Sequence, residues 1–305
     1  MVAHTDIDLS VTLWREGIAD SALCGAIQAD RYHSPEDYYV SVAVVDLFGQ
    51  SPDDEAIDSQ LLFGERVKLL CLSPRYPSFA IVQNYTDHYV GYVAHDALRP
   101  LDASYTPTHR IINPQTPVFR STNIKSRPQT ILSIGSLVQM CDNDGILAKI
   151  SFGNGFAWVS LHHLRAIDEA SGDFVADAKR FLHLPYLWGG RSGFGLDCSA
   201  FIQMSLGVNG HDTPRDSHQL QESLGDDISH FLVAAHKGDY RELRHGDMIF
   251  WPGHCGIICD GLQLLHANAG SMSVACKPLG DEIARILERE QLAPCAIKRL
   301  ATYHS

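Results

Sequence analysis

The chain has 305 residues, 45% of them apolar, which is enough for a sizeable core and for two or three domains. Its formal net charge is −12, with 24 Lys and Arg against 36 Asp and Glu, a balance that disfavours nucleic acid or any other polyanion as a partner. No stretch reaches the ~20 apolar residues of a membrane span, and the opening MVAHTDIDLSVTLWREG has neither the basic nor the apolar region of a signal peptide.

Residues 1–35 are mixed, with a short helix expected near Ser21–Ala29. From Tyr38 the chain reads as strands: YYVSVAVVDLF, LLFGERVKLLCL, FAIVQNYT and HYVGYVA are rich in β-branched and aromatic residues and separated by turn signals. They define a small all-β domain over 36–100, followed by a linker at 101–109 within RPLDASYTPTHR. A second β segment spans 110–168, with TPVFRS, ILSIGSLVQMCD, GILAKISF and FAWVSLHHL as its strands. The two segments rhyme: LLFGERVKLL with LSIGSLVQM, and YVGYVAHDALRP with GFAWVSLHHLRA, a weak repeat of about 70 residues. After Gly172 the pattern changes. DFVADAKRFLHL and CSAFIQMSLGV read as helices, RHGDMIFWPGHCGIICDGLQLLHAN as three short strands, DEIARILERE as a third helix and APCAIKRLA as a last strand. This predicts an α+β domain over 173–305.

Eight cysteines are scattered without CxxC pairs, and with no export signal they read as reduced thiols of a cytoplasmic protein. Cys198 has the most suggestive setting. Asp197 is a sound helix N-cap, so Cys198 falls in the first turn, where free N–H groups favour a thiolate, and the glycines of GRSGFG leave room for a substrate. A buried core cysteine is the alternative. A catalytic thiolate needs an imidazole. His254 opens the strand GHCGIIC and His266 closes the next one, and a hairpin tipped by Asp260-Gly261 would bring the two rings together; a pair of surface histidines is the competing reading. A zinc site from His254, Cys255 and Cys259 fits poorly. Side chains alternate along a strand, so the two cysteines would lie ~13 Å apart on the face opposite His254. GRSGFG does not match a dinucleotide-binding loop, and no strand–turn–helix unit surrounds it.

The blocks PYLWGGRSGFGLDCSAFIQ, TPRDSHQL, RHGDMIFW, GHCGII and LLHANAG, in this order, resemble the NlpC/P60 cysteine peptidases. The two β segments resemble tandem bacterial SH3 domains. The resemblance implies a papain-like α+β catalytic domain behind two small SH3-like barrels, with no cofactor and no metal. It implies Cys198 as nucleophile, His254 as base, His266 as the residue orienting it, and Tyr186 near the oxyanion hole. Ala200 stands where the family usually has glycine. The layout further resembles the γ-D-glutamyl-L-diamino acid endopeptidases, which cut murein peptides carrying a free N-terminal L-alanine, such as L-Ala-γ-D-Glu-diaminopimelate. Asp197, Ser199 and Ser217 are then expected to receive the ammonium, with Asp216 nearby. Glu65 and Tyr89 of the first SH3-like domain would close the far wall, with Asp87 and Tyr92 as competitors. Arg215 and Asp216 are expected to pair within the TPRDS turn. The lack of a signal peptide fits recycling of released peptides in the cytoplasm, with no membrane partner. The rival functions are an autolysin binding intact peptidoglycan through its SH3 domains, a non-enzymatic wall-peptide-binding protein, and an amidase or acyltransferase on the same scaffold.

Overall fold

A computed structural model describes residues 7–102 and 105–301. The first six residues of the N-terminal segment, two positions of the 101–109 linker and the last four residues of the chain lie outside that range. The chain divides into two compact units, residues 1–167 and 168–305.

In the first unit, seven strands form one antiparallel sheet, in the order Leu98–Pro100, Glu36–Val40, Arg66–Leu72, Phe79–Asn84, Val90–Ala94, Val44–Phe48, Ser59–Leu62. Its interior is built from alternate residues of these strands: Val40, Leu47, Leu61, Val67, Val82 and Val93. The second β segment forms three small antiparallel sheets around Ile111, Val118, Leu132, Val138, Ile150 and Val159. The rhyme in the sequence is also a rhyme in the backbone. Gly64 and Gly135 both turn with positive φ, at 81° and 83°, a conformation glycine adopts without a Cβ penalty. The closing blocks both make a 3₁₀ turn, His95–Ala97 and Leu161–His163, leading into Leu98 and Leu164 with matching extended dihedrals. The first half reaches into the second: Phe63, just past the Ser59–Leu62 strand, packs in the core of the second β segment, with Ala43 against it. It stacks on Phe152 at 5.2 Å, and its carbonyl accepts Leu137 N–H at 2.8 Å.

The helix expected near Ser21–Ala29 is only a 3₁₀ turn, Ser21–Leu23, capped by Asp20. Cys24 is extended and Gly25 has φ 86°, which stops the turn. The surrounding residues form a three-stranded sheet, Trp14–Arg15, Ile18–Asp20 and Arg31–His33, and Leu13 and Ile18 pack against Leu70, Ile81, Val90 and Tyr92.

Glu65 and Tyr89 both lie inside the first unit. Glu65 is 4% exposed and its carboxylate accepts Leu62 N–H at 2.8 Å. Tyr89 packs in the sheet interior, and its N–H donates to Asp87. The competitor Tyr92 is also buried, and its hydroxyl donates to Glu16 at 3.0 Å.

The second unit is a six-stranded antiparallel sheet with helices. The strand order is Asp226–Asp227, Ala296–Arg299, Met248–Trp251, His254–Cys259, Gln263–Asn268, Ser273–Pro278. The helices are α1 (Phe174–Ala178), α2 (Cys198–Gly207), α3 (Ser217–Ser223), α4 (Leu232–Ala235) and α5 (Leu279–Glu290). The helix expected over DFVADAKRFLHL is shorter: α1 runs into a 3₁₀ turn at Lys179–Phe181, then Leu182 becomes extended and His183 takes φ 71°. Helix α2 is buried from Cys198 to Leu206, so it is held by packing on all sides, against α1 and the His254–Cys259 and Gln263–Asn268 strands. Helix α5 presents Leu279 and Ile286 to Ile249, Trp251, Ile258 and Leu264. Among the described residues no helix is long and apolar enough to cross a membrane.

Candidate active site

Two local structures meet at the site. The first is the start of α2. Asp197 is extended, at φ −88° and ψ −178°, and its Oδ1 accepts Ala200 N–H at 2.8 Å, which caps the helix. Cys198 is therefore the first helical residue, at the positive end of a ten-residue helix. Gly190 sets the loop ahead of it: a Cβ there would sit 2.7 Å from the Gly195 carbonyl, so the two limbs of the loop close only around a glycine.

The second is the hairpin of His254–Cys259 and Gln263–Asn268, which turns through Asp260, Gly261 and Leu262. Gly261 and Leu262 both have positive φ. The hairpin places the two rings as the spacing predicts: His254 Nε2 and His266 Nδ1 are 2.9 Å apart. Gly256 keeps room for this pair, since a Cβ there would lie 3.0 Å from that of His266 and 2.8 Å from Leu264 Cδ1.

The thiol of Cys198 lies where these structures join. It donates to the Gly253 carbonyl at 3.7 Å and is within hydrogen-bonding reach of His254 and Cys255. Because Nε2 of His254 is engaged with His266, Nδ1 is the nitrogen left to face Cys198. The Cys198 pKa is brought down to about 5, first by a hydrogen bond from the Cys255 thiol and then by His254, against the opposing effect of burial. Cys255 itself is held neutral because full burial pushes its pKa well up. A thiol that stays protonated beside one that ionises is a fixed hydrogen-bond donor to the thiolate. In the sequence Cys255 figures only as a poorly placed zinc ligand, and its neighbour explains its placement: strand alternation turns it away from His254 and toward α2. Cys259 does not join it. Its sulfur lies 3.7 Å from that of Cys276.

His266 is fully buried, and burial lowers its pKa, so the ring is neutral near pH 7. Behind it stand Asn268, whose Nδ2 is 3.1 Å from His266 Nε2, and Glu282 on α5, whose Oε2 is 3.5 Å from the same nitrogen. Neither was singled out in the sequence, where Glu282 reads as an ordinary acidic residue in the first turn of a helix.

Asp197 is the most heavily used carboxylate of the site. Besides Ala200 N–H it accepts Gly189 N–H, the Ser199 hydroxyl, and both terminal nitrogens of Arg215 in a forked pair. Arg215 is 1% exposed and also donates to Ser199 Oγ at 2.8 Å. So Arg215 reaches out of the TPRDS turn to the N-cap of α2. Asp216 caps α3, with the Gln219 side chain accepting Asp216 N–H at 3.2 Å. Ser217 is the half-buried first residue of α3. Tyr186 is half-buried beside the site, and burial, then the nearby Cys198, pushes its pKa up, so it stays a neutral donor.

Two regions of the chain match known families. Residues 183–285 match the NlpC/P60 family, and residues 50–98 match the bacterial dipeptidyl-peptidase SH3 domain. A γ-D-glutamyl-L-lysine dipeptidyl-peptidase of Bacillus subtilis is 27% identical over 263 residues, spanning 81% of this chain and 82% of that protein. One of the same name from Bacillus cereus is 33% identical over 120 residues, 36% of this chain and 32% of that protein. The crystal structure of an NlpC/P60 family protein from Bacillus cereus shares the fold with a TM-score of 0.69 at 19% identity, covering 87% of this chain and 99% of that one. The thiol at a helix start facing a histidine pair lies where the NlpC/P60 family matches, so the chain carries an NlpC/P60 cysteine peptidase domain with a bacterial SH3 domain ahead of it, and it is homologous to the γ-D-glutamyl-L-lysine dipeptidyl-peptidases.

Proposed function

We propose that this peptidase hydrolyses the bond between the γ-carboxyl of D-glutamate and a diamino acid in murein peptides whose N-terminal L-alanine is free. The observation that carries the chemistry is Cys198 at the N-terminus of α2, within reach of His254, with the Cys255 thiol and His254 both lowering its pKa. The substrate class follows from the Bacillus relatives named for a γ-D-glutamyl-L-lysine bond.

In this reading Cys198 passes its proton to His254 Nδ1 and the thiolate attacks the γ-carbonyl carbon. The negative oxygen is met by the Cys198 backbone N–H, one of the free donors at the start of α2, with the Tyr186 hydroxyl beside it. The C–N bond breaks as His254 returns the proton to the leaving amine of the diamino acid. Water then attacks the thioester, giving up a proton to His254, and the released L-Ala-D-Glu leaves Cys198 as a thiol. His266 orients His254 through the 2.9 Å contact. For the substrate ammonium the candidate acceptors are Asp197, 8% exposed and already paired with Arg215, the hydroxyls of Ser199 and Ser217, and Asp216 at the start of α3. Under this reading the enzyme acts on released peptides in the cytoplasm and not on the intact polymer.

The test is product analysis by mass spectrometry. Free L-Ala-γ-D-Glu-diaminopimelate is expected to give L-Ala-D-Glu and diaminopimelate. Acetylating its N-terminus removes the charge that the site desolvates, and kcat/KM is expected to fall by about 100-fold or more. Equal rates for the two peptides would remove the ammonium requirement. Solubilised sacculi beside an untouched tripeptide would assign the enzyme to intact wall.

A further inference from the structure

His266 Nε2 lies between two groups that make opposite demands on it. The Asn268 side chain is oriented by its Oδ1, which accepts Ser271 N–H at 2.8 Å, so its NH₂ is directed at Nε2 from 3.1 Å. That contact asks for a bare nitrogen. Glu282 Oε2, at 3.5 Å, asks for an N–H. Glu282 is 3% exposed and cannot move freely: Arg285 Nε donates to the same Oε2 at 2.8 Å and Lys277 Nζ lies 3.3 Å from Oε1.

The choice decides whether the site has a base. With Nε2 bare, His266 carries its proton on Nδ1 and donates to His254 Nε2. Neutral His254 must then hold its own proton on Nδ1, toward Cys198, and has no lone pair to offer the thiol. With Nε2 protonated, His266 Nδ1 accepts from His254 Nε2–H, and His254 Nδ1 is a free base. We propose that Glu282 is the positioning residue that selects the productive tautomer of both histidines, by setting its buried negative charge against His266 Nε2 in opposition to the Asn268 amide. At 3.5 Å the carboxylate acts through its charge rather than through a short hydrogen bond, and in a buried site that charge favours a proton on the facing nitrogen although the amide lies nearer. When Cys198 gives up its proton, the imidazolium charge on His254 is then shared along a line of acceptors that ends on a carboxylate, itself anchored by Arg285. The proposal rests on Cys198, His254 and His266 acting together.

The experiment is Glu282→Gln, isosteric and neutral, measured by the rate at which iodoacetamide alkylates Cys198 as a function of pH, with the other cysteines resolved by peptide mass spectrometry. The groups around the thiol are His254, Cys255, Tyr186, Asp197 and, through Asp197, Arg215; those around Glu282 are His266, Lys277 and Arg285. Simple loss of a nearby negative charge would ease thiol ionisation and move the profile to lower pH. Loss of the tautomer lock moves it the other way. We expect an upward shift of ~1 pH unit and a fall of ~10-fold in kcat with KM nearly unchanged. A profile that stays in place or moves down overturns the proposal. If wild-type Cys198 shows no alkylation below pH 7, the failure lies instead with the thiolate reading of the site. Should Glu282→Gln not fold, ¹⁵N shifts of the wild-type histidine rings decide: protonated Nε2 on His266 is expected, and a bare Nε2 refutes the assignment.

Discussion

Cys198→Ala should reduce kcat on L-Ala-γ-D-Glu-diaminopimelate by at least about 10⁴-fold while leaving the fold intact. In the proposed mechanism Cys198 is the nucleophile, so its removal deletes the reaction path and not merely one stabilising contact, and single losses in such triads approach the loss of the whole set. The fold should survive because the side chain is small and its partners on the protein are few: the Gly253 carbonyl, Cys255 and His254. Thermal unfolding of the variant separates the two effects, since only a catalytic role predicts an unchanged midpoint with lost turnover. Activity within tenfold of wild type would remove Cys198 from the mechanism.

The second large effect concerns stability. Arg215→Met is expected to destabilise the second unit by about 3–5 kcal/mol, because it leaves the Asp197 carboxylate buried without its counter-charge. The guanidinium is 1% exposed and forks onto both carboxylate oxygens, and the same carboxylate caps α2 and holds Gly189 N–H. The damage therefore reaches the helix that presents Cys198. Denaturant unfolding of Arg215→Met and Arg215→Lys gives the size of the effect. The lysine variant should recover only part of the loss, because an ammonium cannot reproduce the fork. A change below about 1 kcal/mol for Arg215→Met would mean that the pair is not the anchor its geometry indicates.

Much of the architecture was legible in local pattern. Strands bounded by turn residues, the Asp260-Gly261 turn that brings His254 to His266, and the Asp197 cap ahead of Cys198 are all decided within a few neighbouring residues. What was missed depended on distant partners or on shortness. Arg215 looked like a member of its own turn, and nothing nearby indicates a carboxylate 18 residues upstream. Glu282 sits among acidic residues at the start of α5, where the helix dipole alone would account for it. Helices α3 and α4, of 7 and 4 residues, are too short for a 3.6-residue period to register, although Asp216 and Gln219 form a capping box that could have marked α3. The Ser273–Pro278 strand follows a turn so closely that its alternation, with Val274 buried between partly exposed neighbours, is barely one period long.

Phe63 has a practical consequence for dissecting the chain. The polar, proline-containing stretch at 101–109 looks like a natural cut site. A fragment beginning there would lack one of its own interior side chains, and the fragment ending there would carry that ring bare on its surface. Truncating a buried phenylalanine costs about 3–5 kcal/mol, a large share of what holds a small barrel together. Fragment boundaries are better drawn at 167/168, so that expression trials treat the two β segments as one inheritable block, duplicated in pattern but no longer separable in substance.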